Sequence, residues 1–404
     1  MSESILVLNA GSSSIKFALY KVHGARLGER VLGGQVAGIR DKPQLNVTDA
    51  NGRRSVRLQR AAAPATAPAQ APTQALGRLL DWLQTELAGE RLRAIGHRVV
   101  HGGERFAAPV RIDDEAIRAL QSLVPIARLH QPYEIDAILA LCRRRPGMPQ
   151  VACFDTAFHR TLPTVAQLFP LPRAIIDSGV RRYGFHGLSY AYIATRLPAL
   201  LADHPIAAER ARVVVAHLGS GSSLCALRGG QSIATTMGFT ALDGLMMATR
   251  AGSVDPGILL YLMQERGMSA QQVSDMLYHR SGLLGVSGKS ANMSELLACD
   301  DADAREAVAL YVYCLVREAG ALIACLGGID GLVFTAGIGE HVAPVRERVC
   351  AELSWLGIVL DAEANARHQT RISAAASAIP VWVVPTDEEL MIARETLRLT
   401  AAPP

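Results

Sequence analysis

The sequence predicts an α/β protein built from two similar domains. Short β-branched runs alternate with longer helical stretches, which is the pattern of α/β folds. The 404 residues exceed the roughly 250 to 300 at which a single core usually stops growing. A strand, a Gly/Ser turn and a second strand also occur twice, at residues 5–17 and 213–225. This repeat indicates that one kind of domain occurs twice.

The individual elements follow from periodicity and from Gly, Pro and Ser punctuation. Strands are predicted at residues 5–8, 15–20, 95–100, 150–154, 212–216, 223–227, 332–335 and 381–384. Helices are predicted at residues 74–87, 113–123, 133–143, 189–196, 256–265, 269–278, 302–325 and 388–397. The Ala/Pro-rich segment 61–75 is expected to be an exposed loop.

Charge and composition argue against several classes of partner. The net charge of +4 comes from 41 basic and 37 acidic residues spread along the chain, so we expect no nucleic acid partner. Seven scattered cysteines without a C-x-x-C pair indicate reduced thiols. The first residues lack the features of a signal peptide, and no uncharged apolar stretch approaches roughly 18 residues. A cytoplasmic protein without a membrane partner is therefore expected.

The two repeated units are predicted β-hairpins whose turns read NAGSS at residues 9–13 and HLGSG at residues 217–221. Such turns expose successive backbone N–H groups and hydroxyls, which suit phosphate oxygens. Two ordinary Gly/Ser turns are the alternative interpretation.

Eight stretches carry a family resemblance. They are VLNAGSSSIK at 7–16, GHRVVHGGE at 96–104, FDTAFH at 154–159, RYGFHG at 182–187, HLGSGSS at 217–223, TRAGSVDP at 249–256, FTAGIGE at 334–340 and PTDEELMIAR at 385–394. In this order they resemble the acetate and propionate kinase family, of the superfamily of sugar kinases, actin and heat-shock ATPases. The resemblance implies two actin-like (ribonuclease H-like) domains flanking a nucleotide-binding cleft. Residues 1–155 with 386–404 would form the N-terminal domain, and residues 156–385 the C-terminal domain, through which a homodimer is implied.

The resemblance implies reversible transfer of the γ-phosphoryl group of ATP to acetate, giving acetyl phosphate and ADP, with propionate as an alternative short-chain acceptor. A carboxylate acceptor is already ionised at neutral pH, because carboxyl pKa values lie near ~4 to 5. No general base is needed, but an anion must approach a polyanion, so the site must supply cations and oriented donors.

Four residues match the family's catalytic positions. Arg98 would hold the acceptor carboxylate, and Arg250 would stabilise charge on the transferring phosphoryl group. His186 would donate a hydrogen bond to that group, and Asp155 would orient the metal and the arginines. From the residues alone, Arg98 could instead pair with Glu104, Asp155 could cap a helix, and His186 could be a structural hydrogen-bonding group.

By the same resemblance, Asn9 and Glu388 would hold Mg²⁺, or Mn²⁺ in its place, together with water. Thr386 and Glu389 also read as a capping box, in which Glu388 would favour the helix dipole, and this role and metal binding can hold at once. The acyl pocket would be lined by Val100, Leu129 and Phe185, which could equally be plain core residues.

The predicted nucleotide contacts are Lys16, His217, Leu218, Gly219, Ser220, Gly221, Asn292, Met293, Ser294, Gly337, Ile338, Gly339, Glu340 and His341. Residues 337–341 are expected to form a glycine turn after a buried strand. The family usually has asparagine at positions 220 and 341 and Asp-Phe-Arg at 292–294, so these departures leave the purine preference open. Alanine at position 241, where proline is common, predicts a larger acyl pocket.

Two other functions remain as alternatives. A sugar or polyol kinase would need a base for a neutral hydroxyl, which the two arginines do not supply. A catalytically silent nucleotide-binding regulator would have lost site residues, whereas all the matched ones are present.

Overall fold

A computed structural model describes residues 3–11, 14–39, 43–49, 52–56, 71–87, 90–128 and 130–401. The chain divides into two compact units. Unit 1 is Met1–Ala157 with Asp387–Pro404, and unit 2 is Phe158–Thr386. Each unit contains its own β-sheet with helices packed against it.

The strands are β1 Glu3–Ala10, β2 Ser14–His23, β3 Arg26–Ala37, β4 Gln44–Asp49, β5 Gly52–Val56, β6 Arg91–Val99, β7 Val110–Arg111, β8 Gln150–Phe154, β9 Arg212–Leu218, β10 Ser222–Arg228, β11 Gln231–Thr235, β12 Gly331–Thr335 and β13 Val381–Val383. The helices are α1 Ala71–Glu86, α2 Asp114–Ser122, α3 Gln131–Arg144, α4 Thr164–Gln167, α5 Arg173–Asp177, α6 Gly187–Leu200, α7 Pro256–Gln264, α8 Ala270–His279, α9 Gly282–Ser287, α10 Met293–Ala298, α11 Ala302–Leu326, α12 Ala336–His341, α13 Ala343–Glu352, α14 Ala362–Ala366 and α15 Glu388–Thr400.

The sheet of unit 1 has the order β5-β4-β3-β2-β1-β6-β8-β7. Strands β1, β2 and β3 form an antiparallel meander, whereas β6 pairs parallel to β1 and β8 pairs parallel to β6. The carboxyl ends of β1, β6 and β8 therefore meet at one edge, where α/β proteins usually bind ligands. Asn9, Arg98 and Asp155 all lie at this edge.

The sheet of unit 2 repeats the central pattern with the order β11-β10-β9-β12-β13. Its first three strands are antiparallel in sequence order, and β12 and β13 join in parallel. In both units the strand order is therefore 3-2-1-4-5, that of the ribonuclease H-like fold, and the predicted α/β class is confirmed. The predicted hairpin of unit 2 is β9–β10, closed by a hydrogen bond from Gly219 N to Gly221 O of 3.1 Å.

Helices cover the sheet of unit 1 on both sides. On one side α1 and α3 pack through leucines such as Leu76 and Leu141. On the other side α15 lies across β6, where Gly96 allows a close approach. A Cβ at position 96 would overlap Thr396 Oγ1 and would lie 2.6 Å from Ile392 Cγ2.

Helix α11 is the long central helix of unit 2. By length and composition alone it could cross a membrane, and among the described residues it alone meets that test. Ten of its residues are buried, including Tyr311 and Leu315, and they pack in the core of unit 2. Packing of this kind is typical of a core helix.

The structure corrects several local predictions. Residues 337–341 form helix α12 rather than a turn, and α1 already begins at Ala71, within the segment expected to be a loop. The capping box at Thr386 is wrong, because Asp387 caps α15 by accepting a 2.8 Å hydrogen bond from Leu390 N. The eight predicted strands are present, but β3, β4, β5, β7 and β11 were missed.

Candidate active site

Arg98 is the centre of a polar cluster in unit 1. Its guanidinium binds Asp155 in a bidentate manner, with 3.1 Å from Nε to Oδ1 and a second bond from Nη2 to Oδ2. Its Nη1 donates to Asn9 Oδ1 at 3.4 Å, and Glu388 Oε2 lies 3.7 Å from Nε. Arg98 is therefore held by Asp155, with Asn9 and Glu388 as further neighbours.

The geometry leaves part of Arg98 for a substrate. A guanidinium carries five N–H donors, of which Asp155 receives two and Asn9 one. One N–H group remains on Nη1 and one on Nη2, and two guanidinium N–H groups are what a bidentate bond to a carboxylate requires. The arginine is thus oriented by one carboxylate and able to bind another.

Electrostatics in this cluster favour an additional cation. Burial opposes the charge of Arg98, but Asp155 and Glu388 outweigh burial and raise its pKa above the ordinary value. Burial, only partly offset by Arg98, acts together with Asp155 to raise the pKa of Glu388 to about 7. A cation bound beside Glu388 would relieve the repulsion between the two carboxylates.

The oxygens of Asn9 and Glu388 are of the type that a hard divalent cation prefers. Both lie against the same guanidinium, and amide and carboxylate oxygens are the ligands that Mg²⁺ prefers. Among the described residues no group of three or more His, Cys, Asp or Glu side chains could hold a metal. A site with few protein ligands and several waters is what Mg²⁺ usually adopts.

His186 is the centre of a second cluster, in unit 2. It occupies the N-cap position of α6 with φ of 58°, in the left-handed region, which is unusual for a residue other than glycine. Its Nδ1 lies 2.8 Å from Ser223 Oγ, which also bonds the hydroxyl of Tyr190. Its ring stacks on His217 with centroids 4.1 Å apart. The ring is therefore fixed in position from two sides.

Arg250 approaches the same turn. Its Nη1 donates to Ala241 O at 2.9 Å. A Cβ built on Gly221 would lie 3.3 Å from His186 Nε2 and 3.6 Å from Arg250 Nη1. His186 and Arg250 therefore converge on the β9–β10 turn, where the sequence predicted phosphate binding.

His159 was missed as a site residue, although it ends one of the family stretches. Its Nε2 donates to Phe185 O at 2.9 Å, and its Nδ1 accepts from Ser232 Oγ at 2.8 Å. Burial lowers its pKa to about 4, so it remains neutral. It thereby fixes the backbone just before His186. Only the tertiary contacts reveal this role, as they do for Ser223.

The remaining predicted site residues are placed as follows. Val100 and Phe185 are buried, at 5% and 3% exposure, and Leu129 lies outside the described residues. Lys16 is exposed and pairs in register with Asn9 across β1 and β2. The part of the first phosphate turn at residues 12–13 is also outside the described residues.

The predicted nucleotide contacts of unit 2 differ in their surroundings. Leu218 and Met293 belong to the hydrophobic core, so only their backbone atoms are available to a ligand. Asn292 accepts a 2.9 Å bond from Ser294 N and caps α10. Glu340 Oε1 accepts from Ala336 N at 2.7 Å and so closes the first turn of α12. The other predicted contacts are Ser220 and Gly219 in the β9–β10 turn, and Gly337, Ile338, Gly339 and His341 in α12.

The fold and these clusters define the class of protein. Three features indicate a nucleotide-dependent phosphotransferase. They are two ribonuclease H-like sheets, a glycine turn of the kind that binds phosphate beside a histidine and an arginine, and an oriented arginine next to amide and carboxylate oxygens of the kind that bind a metal ion.

Comparison with known proteins gives the family. A model of the Acetokinase family matches residues 4–394. The chain is 50% identical over 402 residues to an acetate kinase of Rhodopseudomonas palustris, covering 99% of both chains. Among solved structures, a propionate kinase of Francisella tularensis is similar with a TM-score of 0.88 and 34% identity, over 98% of this chain and 100% of that one. An acetate kinase of Porphyromonas gingivalis has a TM-score of 0.85 and 35% identity, over 98% and 99%. The chain belongs to the acetokinase family, and it is a phosphotransferase whose acceptor is a carboxyl group.

Proposed function

We propose that this protein is an acetate kinase, which reversibly transfers the γ-phosphoryl group of ATP to acetate and yields acetyl phosphate and ADP. Relatives with 50% identity over nearly the whole length carry the name acetate kinase. The observation that carries the proposal is Arg98, held on one side by Asp155 and with two N–H groups left for a carboxylate.

The acceptor needs orientation rather than deprotonation. Acetate is ionised at neutral pH, and Arg98 would bind its two oxygens in the plane of the guanidinium. Val100 and Phe185 would enclose the methyl group, with Leu129 as a further lining residue, and this assignment rests on the family resemblance. The bound carboxylate is then a nucleophile whose approach is fixed before reaction.

The transferring phosphoryl group needs donors that match its developing charge. Burial raises the pKa of Tyr190 well above its ordinary value, so Tyr190 keeps its proton and can donate to Ser223, which in turn donates to His186 Nδ1. With Nδ1 accepting from Ser223, the ring N–H group of His186 would lie on Nε2, which faces the β9–β10 turn. His186 and Arg250 would both donate to phosphoryl oxygens during transfer.

Asn9 and Glu388 would hold Mg²⁺, or Mn²⁺ in its place. When bound, the metal ion neutralises charge on the nucleotide phosphates and helps to orient them. The adenosine would approach the backbone of α12, and Lys16 would add a positive charge near the phosphates.

A second copy of the chain is the partner that we propose for unit 2. Helix α7 buries none of its residues within the unit. Its exposed side chains include Ile258, Leu260 and Tyr261, each about half exposed, and exposed apolar helices of this kind usually mark an interface. We also expect a cytoplasmic location, because all seven cysteines are free thiols.

The proposal is tested by MgATP-dependent ADP release with acetate, propionate, butyrate, glycerol or no acceptor. We expect acetate and propionate to be used and glycerol to be inert. Propionate remains the alternative principal acceptor, because a similar solved structure is that of a propionate kinase and alanine at position 241, where the family usually has proline, predicts a larger acyl pocket. Turnover of glycerol would support the sugar-kinase alternative. An absence of ADP release with every acceptor would support the silent-regulator alternative.

A further inference from the structure

Beyond the end of β6, backbone N–H groups donate to side-chain oxygens instead of to a neighbouring strand. Val99 O accepts the last ladder bond, from Asp155 N at 3.1 Å. The next N–H group, that of Val100, donates to Glu134 Oε2 at 3.0 Å, and Gly102 N donates to Thr156 Oγ1 at 3.0 Å. Val100 is buried, so its N–H group would otherwise need another acceptor.

Two side chains from the first turn of α3 hold this segment. Glu134 receives Val100 N, and Gln131 Nε2 donates to His101 O at 3.2 Å. Both side chains are buried, with 3% exposure for Glu134 and none for Gln131. A carboxyl group is rarely buried without a specific role, because removing it from water is costly.

Glu134 is also an electrostatic neighbour of the acceptor site. Arg98 lies two residues before Val100, and its charge stabilises the ionised form of Glu134. Burial nevertheless dominates, and with the added repulsion of Asp155 it raises the pKa of Glu134 to about 8. Near neutral pH the side chain is therefore uncharged, and it binds Val100 N without competing for Arg98.

We propose that Glu134 is a positioning residue for the acceptor carboxylate, because through Val100 N it fixes the strand end from which Arg98 reaches its substrate. The inference deepens the proposed function and rests on the role given there to Arg98. None of the eight sequence stretches contains Glu134, and its role is visible only in the contact between α3 and the end of β6.

The charged and titratable groups around Glu134 make the role measurable. Arg98 and Asp155 act on it from β6 and from the end of β8, and Glu388 lies 3.7 Å from Nε of the same Arg98. His101 follows Val100, and burial lowers its pKa to about 4, so it stays neutral in the working range. Above about pH 8, ionised Glu134 should place a negative charge beside Arg98 and weaken carboxylate binding.

Two variants separate positioning from simple structural support. Glu134→Gln keeps an acceptor oxygen for Val100 N and cannot ionise, whereas Glu134→Leu removes the acceptor at similar volume. Glu115→Gln, at an exposed glutamate of α2, serves as the matched control. The measurements are kcat and KM for acetate and for ATP from about pH 6 to about pH 9.5, together with thermal unfolding.

We expect the KM for acetate of the wild type and of Glu115→Gln to rise about tenfold above pH 8, and that of Glu134→Gln to rise much less. Titration of Glu388 is common to all these proteins and cancels in the comparison. Glu134→Leu should raise the KM for acetate about tenfold or more at every pH, with the KM for ATP changed by less than about twofold.

The inference is overturned if Glu134→Gln follows the wild-type pH profile, or if Glu134→Leu lowers thermal stability without raising the KM for acetate. If Glu134→Leu does not fold, the Glu134→Gln profile decides. An activity-independent readout is the Val100 amide resonance, which should titrate near pH 8 in the wild type and not in Glu134→Gln. If the wild-type protein were inactive with acetate, that result would count against the proposed function. The titration of the Val100 amide would still test the contact between Val100 and Glu134.

Discussion

Replacing Gly96 with alanine tests how α15 brings Glu388 to the acceptor site. An added Cβ would overlap Thr396 Oγ1 and lie 2.6 Å from Ile392 Cγ2, whereas ordinary contacts begin near 3.4 Å. Both contacting residues are on α15, whose first residue is Glu388. The helix must therefore retreat from β6 by about 1 Å, since the strand itself is held on both edges.

The expected cost of Gly96→Ala follows from this overlap. Overpacking of a tight core site usually costs about 1–3 kcal/mol, and we expect about 2 kcal/mol off the free energy of unfolding. A displacement of about 1 Å at Glu388 should also lower kcat/KM for acetate by about tenfold to a hundredfold. Denaturant unfolding and the ADP-release assay measure the two effects.

Gly33→Ala is the matched control, because it lies in β3 of the same sheet and its new Cβ would meet only the end of Arg30, at 3.5 Å. We expect it to change stability by less than about 1 kcal/mol and to leave activity unchanged. If Gly96→Ala were as stable and as active as Gly33→Ala, the close docking of α15 on β6 would be refuted.

Three further predictions concern stability, catalysis and specificity. Burial lowers the pKa of His97 and of His101 to about 4, so each is neutral when folded and must become charged on acid unfolding. The unfolded chain binds more protons between about pH 6.5 and 4, so stability is lost as pH falls through this window, by roughly 3 kcal/mol per histidine. In urea unfolding, His97→Gln should make this loss of stability smaller. An unchanged pH dependence of stability would contradict the burial argument. Ser223→Ala should lower kcat about tenfold with little change in KM for acetate, because His186 loses the partner that fixes its tautomer, and an unchanged kcat would exclude this role. Ala241→Pro should lower turnover of propionate relative to acetate, and an equal ratio in variant and wild type would remove position 241 from the acyl pocket.

The sequence predicted four of the five core strands in each unit because these strands are largely buried apolar runs, but it missed the third strands, β3 and β11, which are only partly buried. Strands β1, β6 and β8 are short, largely buried runs, and their parallel pairing brings their carboxyl ends together. Asn9 and Arg98 lie near the ends of β1 and β6, and Asp155 directly follows β8. The outer strands were missed because their sequence is polar: β5 reads GRRSV and is mostly exposed. It pairs with β4, from which only two residues separate it, so the pairing is that of a local hairpin rather than of a buried apolar run.

The sequence predicted the candidate site only where the type of residue and its neighbours in the chain indicate a chemical role. Arginines and a histidine beside glycine turns indicate phosphoryl transfer, but no local pattern indicates which groups hold them. His159 and Ser223 act by contact across unit 2, and Glu134 by contact between α3 and the end of β6. The two glycines of α12 are poor helix formers and so favour a turn in the sequence, whereas in the structure Glu340 accepts from Ala336 N and closes the first turn of a helix.

The central claim is that this chain forms acyl phosphate with Arg250 acting on the transferring group. Hydroxamate trapping of acyl phosphate, from MgATP with acetate, propionate or butyrate, tests it most directly when the wild type is compared with Arg250→Ala. We predict trapped product from acetate and propionate with the wild type, and a loss of about a thousandfold in the variant. No trapped product from the wild type with ATP, GTP or pyrophosphate as donor, or equal product from the variant, would contradict the account.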